Sequence, residues 1–325
     1  MTRTTLLASA ILAGALTLAH ANAQTSDTAG RAAEEADAFY AKGVALYKEG
    51  KFAESAEAFR QVTLLAPDNA TAHGGVCAAL FKLENYKQAV DSCRRRAELQ
   101  PDSSLARLNF GRALRMQGRV DEALAELREA VRLKPDWAEA HIALSEVYNE
   151  LGRHEEAAAS LREVLRLSPD DAASLNNLGA VYDKLGRFQE AAETLERAIR
   201  LQPGLAEAYG NLGFVYSDMK QYERALESYR RALEVKPEYA EVYYQASYAL
   251  LRLGRREQAR EYCLHALQLR PDYPEAHEAL GVIYVATGRR GEALEQYRKL
   301  QTLGSPLAET LFRTIYGDKI LSARR

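Results

Sequence analysis

Residues 172–205 read AASLNNLGAVYDKLGRFQEAAETLERAIRLQPGL, and residues 206–239 read AEAYGNLGFVYSDMKQYERALESYRRALEVKPEY, two versions of one 34-residue pattern. Each version has Asn-Leu-Gly and a tyrosine near its start and a proline near its end. That proline recurs at intervals of 34 residues, at Pro67, Pro101, Pro135, Pro169, Pro203, Pro237 and Pro271, and Pro306 follows one residue late. A fixed period of this length predicts an array of repeated structural units.

Each repeat contains signals for two helices and the turn between them. Counting places from Ala36, place 15 is glycine in six of eight repeats, and Glu84 and Lys220 occupy it in the other two. Glycine adopts positive φ without strain, so it predicts the end of the first helix. The proline at place 32 predicts the end of the second helix, because it lacks an N–H and clashes with the preceding turn. Each repeat is therefore predicted to be a helical hairpin.

Small residues predict where the two helices of a hairpin approach each other. Place 20 is alanine in seven of eight repeats, and place 8 is glycine, serine or cysteine in all of them. Because two helices come close only where both side chains are small, we expect place 8 to lie opposite place 20. The acid that follows most of the prolines, such as Asp68, is expected to accept hydrogen bonds from free N–H groups at the next helix start.

These residues resemble the tetratricopeptide repeat (TPR) pattern. In the repeat that starts at residue 172, the match runs from Leu178-Gly179 through Tyr182 and Ala191 to Pro203. The resemblance implies an all-α, right-handed α-solenoid in which neighbouring hairpins stack and bury a common apolar stripe. The small and polar residues before the first repeat predict a flexible segment at 24–35, and Leu311, Phe312 and Ile315 at helical spacing predict a capping helix and tail at 308–325. The eight predicted repeats are 36–69, 70–103, 104–137, 138–171, 172–205, 206–239, 240–273 and 274–307.

The N-terminus has the features of a secretory signal. Arg3 is followed by an uncharged stretch of about 13 residues, Leu6 to Leu18, and Ala21-Asn22-Ala23 has small residues where signal peptidase acts. This stretch is shorter than the ~20 residues of a membrane-spanning helix. We predict a signal peptide at 1–23 that is cleaved after Ala23, and a periplasmic or secreted mature protein without a membrane span. An uncleaved anchor is the alternative.

Composition and motifs argue against several functions. The 325 residues are 47% hydrophobic and 27% charged, with a formal net charge of −2. This is ordinary globular composition, which gives no support to disorder or to nucleic-acid binding through a basic face. No phosphate-binding glycine loop, nucleophile elbow or HExxH motif occurs. His73, His141 and His277 each occupy place 4 of a separate repeat, which favours packing. We therefore predict no enzyme activity, no cofactor and no metal site.

Two cysteines fall on the two helices of one predicted hairpin. Cys77 is at place 8 and Cys93 at place 24. In an oxidising compartment such a pair can form a disulfide. If place 8 lies opposite place 20, however, Cys93 is about one turn away, which lengthens the span for a relaxed bridge. The sequence leaves a disulfide and two buried thiols open. Cys263 is interpreted as a small core residue.

In TPR proteins the first helices line the concave face, mainly through places 2, 5, 6, 9, 12 and 13. Place 6 then contains a row of amide side chains: Asn109, Asn177, Asn211 and Gln245. An amide both donates and accepts, so such a row can bind a peptide backbone whatever the peptide's side chains are. The row resembles the asparagine ladder in the repeat domain of O-linked N-acetylglucosamine transferase, whose catalytic half is absent here. The alternative is that these amides bond only to neighbouring backbone.

The same places predict two anchor zones for a partner, because aromatic and arginine side chains are frequent anchors at interfaces. The N-terminal zone contains Tyr40, Tyr47, Phe81, Arg112 and Arg115. The second zone contains Phe214, Tyr244, Tyr248 and Leu251. An acidic stretch separates them, with Glu139, Glu146, Glu150, Asp183, Glu207 and Asp218.

The predicted function is that of an exported, non-catalytic interaction scaffold. It binds a peptide segment or a partner protein in the concave groove, within an envelope or secretion assembly. The alternative is a structural array that oligomerises through its ends or its convex face, with no ligand in the groove. Groove chemistry limits the charge and shape of a partner but does not identify it.

Overall fold

The computed structural model describes residues 30–317, which contain helices and turns and no strand. The chain divides after Leu151 into two compact units. The first unit contains α1 (30–48), α2 (Phe52–Leu65), α3 (Ala70–Lys82), α4 (Tyr86–Leu99), α5 (Ser104–Met116), α6 (Val120–Leu133) and α7 (Ala138–Glu150). The second contains α8 (His154–Leu167), α9 (Ala172–Lys184), α10 (Phe188–Leu201), α11 (Ala206–Asp218), α12 (Tyr222–Val235), α13 (Ala240–Arg252), α14 (Arg256–Leu269), α15 (Pro274–Ala286), α16 (Arg290–Thr302) and α17 (Leu307–Tyr316).

Helix starts repeat with the period of the sequence. The first helices α3, α5 and α7 begin at Ala70, Ser104 and Ala138, at intervals of 34 residues. Within each unit every helix from α2 onward packs on its neighbour in the chain, so that each unit is a stack of helical hairpins. The prediction of an all-α fold built from such hairpins is confirmed. The signal predicted at 1–23 lies outside the described residues.

The turn inside each hairpin requires positive φ. All six glycines at place 15 adopt it, with φ between 70° and 78°. Where glycine is missing the backbone is unchanged, with φ of 56° at Glu84 and 60° at Lys220. A residue with a Cβ is strained in this conformation. The turn geometry is therefore imposed by the packing of the two helices, whichever residue occupies place 15.

This strain predicts a gain in stability. Replacing Lys220 by glycine is expected to raise the free energy of unfolding by about 0.5–1 kcal/mol, because glycine adopts positive φ without a steric cost. Thermal and urea unfolding measure the change. The matched control is Gly186→Ala in the neighbouring repeat, where φ is 70° and which should lose a comparable amount. A loss of stability in Lys220→Gly would contradict the strain.

The predicted contact between places 8 and 20 is present, since Ser55 Oγ at place 20 donates to the Gly43 carbonyl oxygen at place 8 at 2.8 Å, but place 24 also contacts place 8. A Cβ on Gly111, at place 8, would lie 2.7 Å from Cγ of Leu127, at place 24, whereas Ala123 at place 20 approaches only with its carbonyl oxygen, at 3.3 Å. A Cβ on Gly213 would likewise lie 2.4 Å from the ring of Tyr229 at place 24. The small residue at place 8 therefore lies against both place 20 and place 24, and it makes room for the large side chain at place 24.

Asp68, the first of the acids that follow the prolines, does not cap the next helix as predicted. Asp68 forms an ion pair with Arg95 at 2.7 Å instead of capping α3. The next residue, Asn69, is the N-cap, and its side chain accepts a hydrogen bond from the Ala72 N–H at 2.9 Å. The acid is one residue too early to reach the free N–H groups of the helix.

Both ends of the described chain are helical. The segment predicted as flexible, 24–35, is helical from residue 30 onward, since Ala32, Ala33 and the glutamates that follow favour helix and continue into α1. At the other end α17 packs on α15 and α16 and buries Leu311 and Ile315. The helix ends at Tyr316, before Gly317, where φ is 64°. Residues 318–325 lie outside the described chain.

Candidate functional site

The first unit contains an open pocket of about 400 Å³ among its first helices. It is lined by Tyr47 of α1, by Cys77, Ala78, Phe81 and Lys82 of α3, by Glu84 in the following turn, by Tyr86 of α4, and by Asn109 and Arg112 of α5. Four of these residues, at inner-face places of three successive repeats, belong to the predicted groove: Tyr47, Phe81, Asn109 and Arg112. The 34-residue period brings them together, because equal places on stacked first helices lie side by side.

Aromatic rings form the walls of this pocket and are held by edge-to-face contacts. The centroids of Phe81 and Tyr86 lie 5.2 Å apart, which fixes the end of α3 against the start of α4. Tyr47 contacts Phe52 of α2 at the same distance. Such pairs prefer this geometry and hold their rings in place. Tyr40, also predicted for the N-terminal zone, does not line the pocket and packs on Phe59 at 5.5 Å.

A disulfide ties together the two helices behind the pocket. Cys77 and Cys93 are bonded, with 5.2 Å between their Cα atoms, and both are buried. Of the two states that the sequence left open, the structure contains the bridge. The expected one-turn offset is absent because place 8 faces place 24. The equivalent pair on α13 and α14 is Ser247 and Cys263, where the thiol donates to the hydroxyl at 3.1 Å and burial raises the pKa of Cys263 to about 11.

The charges around the pocket differ from those predicted. Arg115 forms ion pairs with Glu146 and Glu150, so its charge is neutralised by the next repeat. Arg112 makes no hydrogen bond or ion pair within residues 30–317, and neither does Lys82. Glu84 is the one acid among the lining residues. The pocket therefore presents two unpaired cations beside its aromatic walls.

In the second unit the predicted amide row is partly engaged with itself. Asn211 donates to the side-chain oxygen of Asn176 at 2.9 Å, and Asn176 donates to Asn177 at 3.4 Å. Asn176, at place 5, was not predicted as part of the row, although its position next to Asn177 in the sequence could have indicated it. These amides connect two repeats to each other and keep only part of their hydrogen-bonding capacity for a ligand. Gln245 is half-buried on α13.

Two rings of the predicted second aromatic zone pack against other aromatic rings of the fold. Phe214 packs edge-on against Tyr229 within its own hairpin, with 5.9 Å between centroids. Tyr244 contacts Tyr273 at 5.4 Å, and burial raises its pKa, with Glu278 as the next cause. Tyr248 is 42% exposed. Phe214 and Tyr244 thus support the fold of separate hairpins, and Tyr248 is the ring of the three that faces solvent.

Asp183 is the most perturbed carboxylate of the second unit. Burial, and then the nearby Asp218, raise the pKa of Asp183 to about 6. Its Oδ1 is buried without a hydrogen-bond partner among the described residues. A carboxylate in such a place favours its protonated form. Both acids were predicted for the inner face, but the sequence did not indicate that they lie close together.

This raised pKa predicts a pH dependence of stability. The folded state holds the Asp183 proton more tightly than the unfolded state, so the contribution of Asp183 to stability falls as pH rises from 4 through 6. Asp183→Asn should remove that slope and be about 1–2 kcal/mol more stable at pH 7.5, after allowance for partial solvation. Urea unfolding at several pH values measures it. Glu238→Gln, which alters an exposed acid, is the control and should leave the slope intact.

The place-4 histidines are engaged within the fold. His73, His141 and His277 each hold Nε2 at 2.8–2.9 Å from the carbonyl oxygen of the proline six residues earlier. A carbonyl only accepts, so Nε2 carries the proton. Within residues 30–317, no group of three or more His, Cys, Asp or Glu side chains is arranged to hold a metal ion. None of the described helices has both the length and the apolar character needed to cross a membrane.

Family comparisons match this repeat plan along most of the chain. Residues 108–281 match the family described as "Tetratricopeptide repeat protein 21 C-terminal ARM domain". Residues 40–104 and 274–299 each match a family described as "Tetratricopeptide repeat". The chain belongs to the tetratricopeptide repeat family. No curated protein sequence matches this TPR chain.

Solved structures share the TPR fold. The APC/C hetero-tetramer Cut9-Hcn1 is 16% identical, with a TM-score of 0.61 over 85% of this chain and 55% of that one. Pseudomonas aeruginosa pilF is 24% identical, with a TM-score of 0.55 over 64% of this chain and 95% of that one. A crystal structure of MamA is 28% identical, with a TM-score of 0.46 over 50% of this chain and 95% of that one. At these identities the first two support the fold alone.

Sequence reasoning missed part of the TPR pocket. Lys82 and Tyr86 line it, at places 13 and 17, beside the predicted Phe81. Lys82 could have been found, since place 13 is an inner-face place of the family. Tyr86 is the first residue of a second helix, and only the contact between its ring and Phe81 brings it to the pocket.

Proposed function

We propose that this chain is a non-catalytic TPR scaffold that binds an extended segment of a partner protein in the pocket of its first unit. The observation that carries the proposal is the convergence of Tyr47, Phe81, Asn109 and Arg112 on one cavity. Rigid aromatic walls suit an apolar anchor side chain. The Asn109 amide suits a peptide group, and the unpaired Arg112 suits an acceptor.

We further propose that the protein is exported. The support is the signal-like N-terminus, together with the Cys77–Cys93 disulfide, since such bridges persist mainly in oxidising compartments. Protein purified from its native cells is expected to have the mass of a chain that begins at Gln24. Intact-mass spectrometry measures this directly. A mass that retains residues 1–23 would contradict cleavage.

Affinity capture tests the binding proposal. The bait is the chain from residue 24 to residue 325, exposed to native envelope and culture extracts. The test variant is Phe81→Ala combined with Asn109→Ala, and the control is Tyr248→Ala, which truncates an exposed ring of the second unit. Circular dichroism confirms that both variants remain helical.

The expected result is a partner that is retained by the wild type and by the control and lost by the pocket variant. A partner that all three retain would contradict binding in this pocket. It would instead favour the alternative, in which the array organises an assembly through its ends or its convex face.

A further inference from the structure

Arg96 on α4 is at a place that is buried in the other repeats, and its own side chain is half-buried. In the seven other repeats, place 27 is a buried apolar residue with at most 1% of its surface exposed: Val62, Ala130, Val164, Ala198, Ala232, Ala266 and Leu300. Arg96 is the single charged residue at this place. A guanidinium is unexpected at a place that is otherwise apolar and buried, because burying a charge is costly unless it is paired.

A second departure in the same repeat makes room for this side chain. Gly74 on α3 is at place 5, and a Cβ there would lie 2.7 Å from Nη1 and 2.9 Å from Cδ of Arg96. The Arg96 side chain therefore passes over the bare backbone of α3 at an inner-face place. It comes close enough to Tyr40, at place 5 of α1, for the two groups to interact electrostatically. The two departures act together to bring a guanidinium from the second helix toward the inner face.

The Arg96 guanidinium is not satisfied within the chain. Its Nε is buried without a hydrogen-bond partner, and it forms no ion pair in the described residues. Partial burial lowers the pKa of Arg96 below its usual range. An apolar residue would be more favourable here, as in the seven other repeats. An external anion would supply the missing partner.

Arg112, which lines the pocket of the same unit, also has no hydrogen-bond or ion-pair partner among the described residues. Lys82, beside it in the pocket lining, adds a second unpaired charge. By contrast, the inner-face places of the second unit carry acids, among them Asp183 and Asp218. We propose that the partner segment is an acidic peptide, whose carboxylates pair with Arg96 and Arg112 while an apolar side chain enters the aromatic pocket. This inference rests on the proposed function and specifies the chemistry of its ligand.

The test uses the chain from residue 24 to residue 325 and three fluorescein-labelled dodecapeptide pools. All pools contain Phe, Tyr and Leu at alternate positions. The remaining positions are Asp and Glu in the acidic pool, Asn and Gln in the neutral pool, and Lys and Arg in the basic pool. Fluorescence anisotropy gives the affinities. The acidic pool is expected to bind about tenfold or more tightly than the neutral pool, and this advantage should shrink as salt rises.

Three variants test which arginines are responsible for the tighter binding of the acidic pool. Arg96→Met and Arg112→Met should each weaken binding of the acidic pool about tenfold and leave the neutral pool unchanged. Arg230→Met, which removes an exposed arginine of the second unit, is the matched control and should change neither. Arg96→Met should also unfold at the wild-type temperature or above it, since no internal partner is lost.

The possible failures are distinguishable. If the neutral pool binds as tightly as the acidic pool, the acidic inference is overturned while peptide binding stands. If no pool binds, both proposals fall. If Arg96→Met lowers the unfolding temperature and leaves the affinity for the acidic pool unchanged, Arg96 is structural and its part in the inference is overturned.

Discussion

Gly213→Ala is expected to lower the free energy of unfolding by about 2–3 kcal/mol. The added Cβ would lie 2.4 Å from the ring of Tyr229, which is fully buried and has no room to move. The hairpin of α11 and α12 would have to open, or the ring would have to leave its rotamer. Urea unfolding of the purified variant measures the loss.

Two comparisons isolate the steric cause. Gly204→Ala adds the same methyl group where no atom lies within 4 Å, and it should leave stability nearly unchanged. Gly210→Ala, on the same helix, places its methyl group at an ordinary contact of 3.4 Å from Cγ2 of Val242 and should also leave stability nearly unchanged. If Gly204→Ala and Gly213→Ala lower the free energy of unfolding equally, the overlap between the new methyl group and the Tyr229 ring is not the cause of the loss.

Cys77→Ser is expected to have the second large effect on stability. Loss of the bridge to Cys93 should lower the free energy of unfolding of the first unit by about 3 kcal/mol, because the cross-link closes a loop of 16 residues and restricts the unfolded chain. The variant leaves a serine opposite a cysteine, the pair that already packs between α13 and α14 as Ser247 and Cys263. The loss therefore reports the cross-link rather than altered packing.

A reductant supplies the control for this prediction. Under dithiothreitol the wild type should unfold at the same urea concentration as Cys77→Ser, because both then lack the bridge. Without reductant the two should differ by the full amount. Identical curves for the wild type with and without reductant would show that the cross-link adds nothing to stability.

The period of the prolines was enough to predict the all-α hairpins, but it did not predict how the hairpins pack. Small residues at places 8 and 20 fit two arrangements: two small residues face each other, or each makes room for a large one. The structure shows both, because place 8 contacts place 20 and place 24. The sequence contained a clue to the second: Gly111 and Gly213 at place 8 accompany Leu127 and Tyr229 at place 24, and the two cysteines at place 24 accompany Cys77 and Ser247.

The sequence predicted several residues that line the candidate site, but it did not predict which of the charges there are paired. Family places identified Tyr47, Phe81 and Arg112 as neighbours. They did not show that Arg115 is neutralised by the next repeat, because ion pairing depends on how long side chains lie across the stack. Arg96 was overlooked, although comparison of place 27 across the repeats would have identified it as the exception.

The bridge between Cys77 and Cys93 has a consequence for the order of folding. Its two ends belong to one hairpin, so it requires no contact with a distant part of the chain. A loop of this size closes in well under a millisecond, so the two thiols meet early, and an oxidant then forms the bond over seconds or longer. If the protein crosses a membrane in an extended form, the hairpin of residues 70–103 contains both cysteines and can be cross-linked before the later repeats have emerged. It would then serve as a covalent template on which the following repeats stack in turn, each through contacts local in sequence.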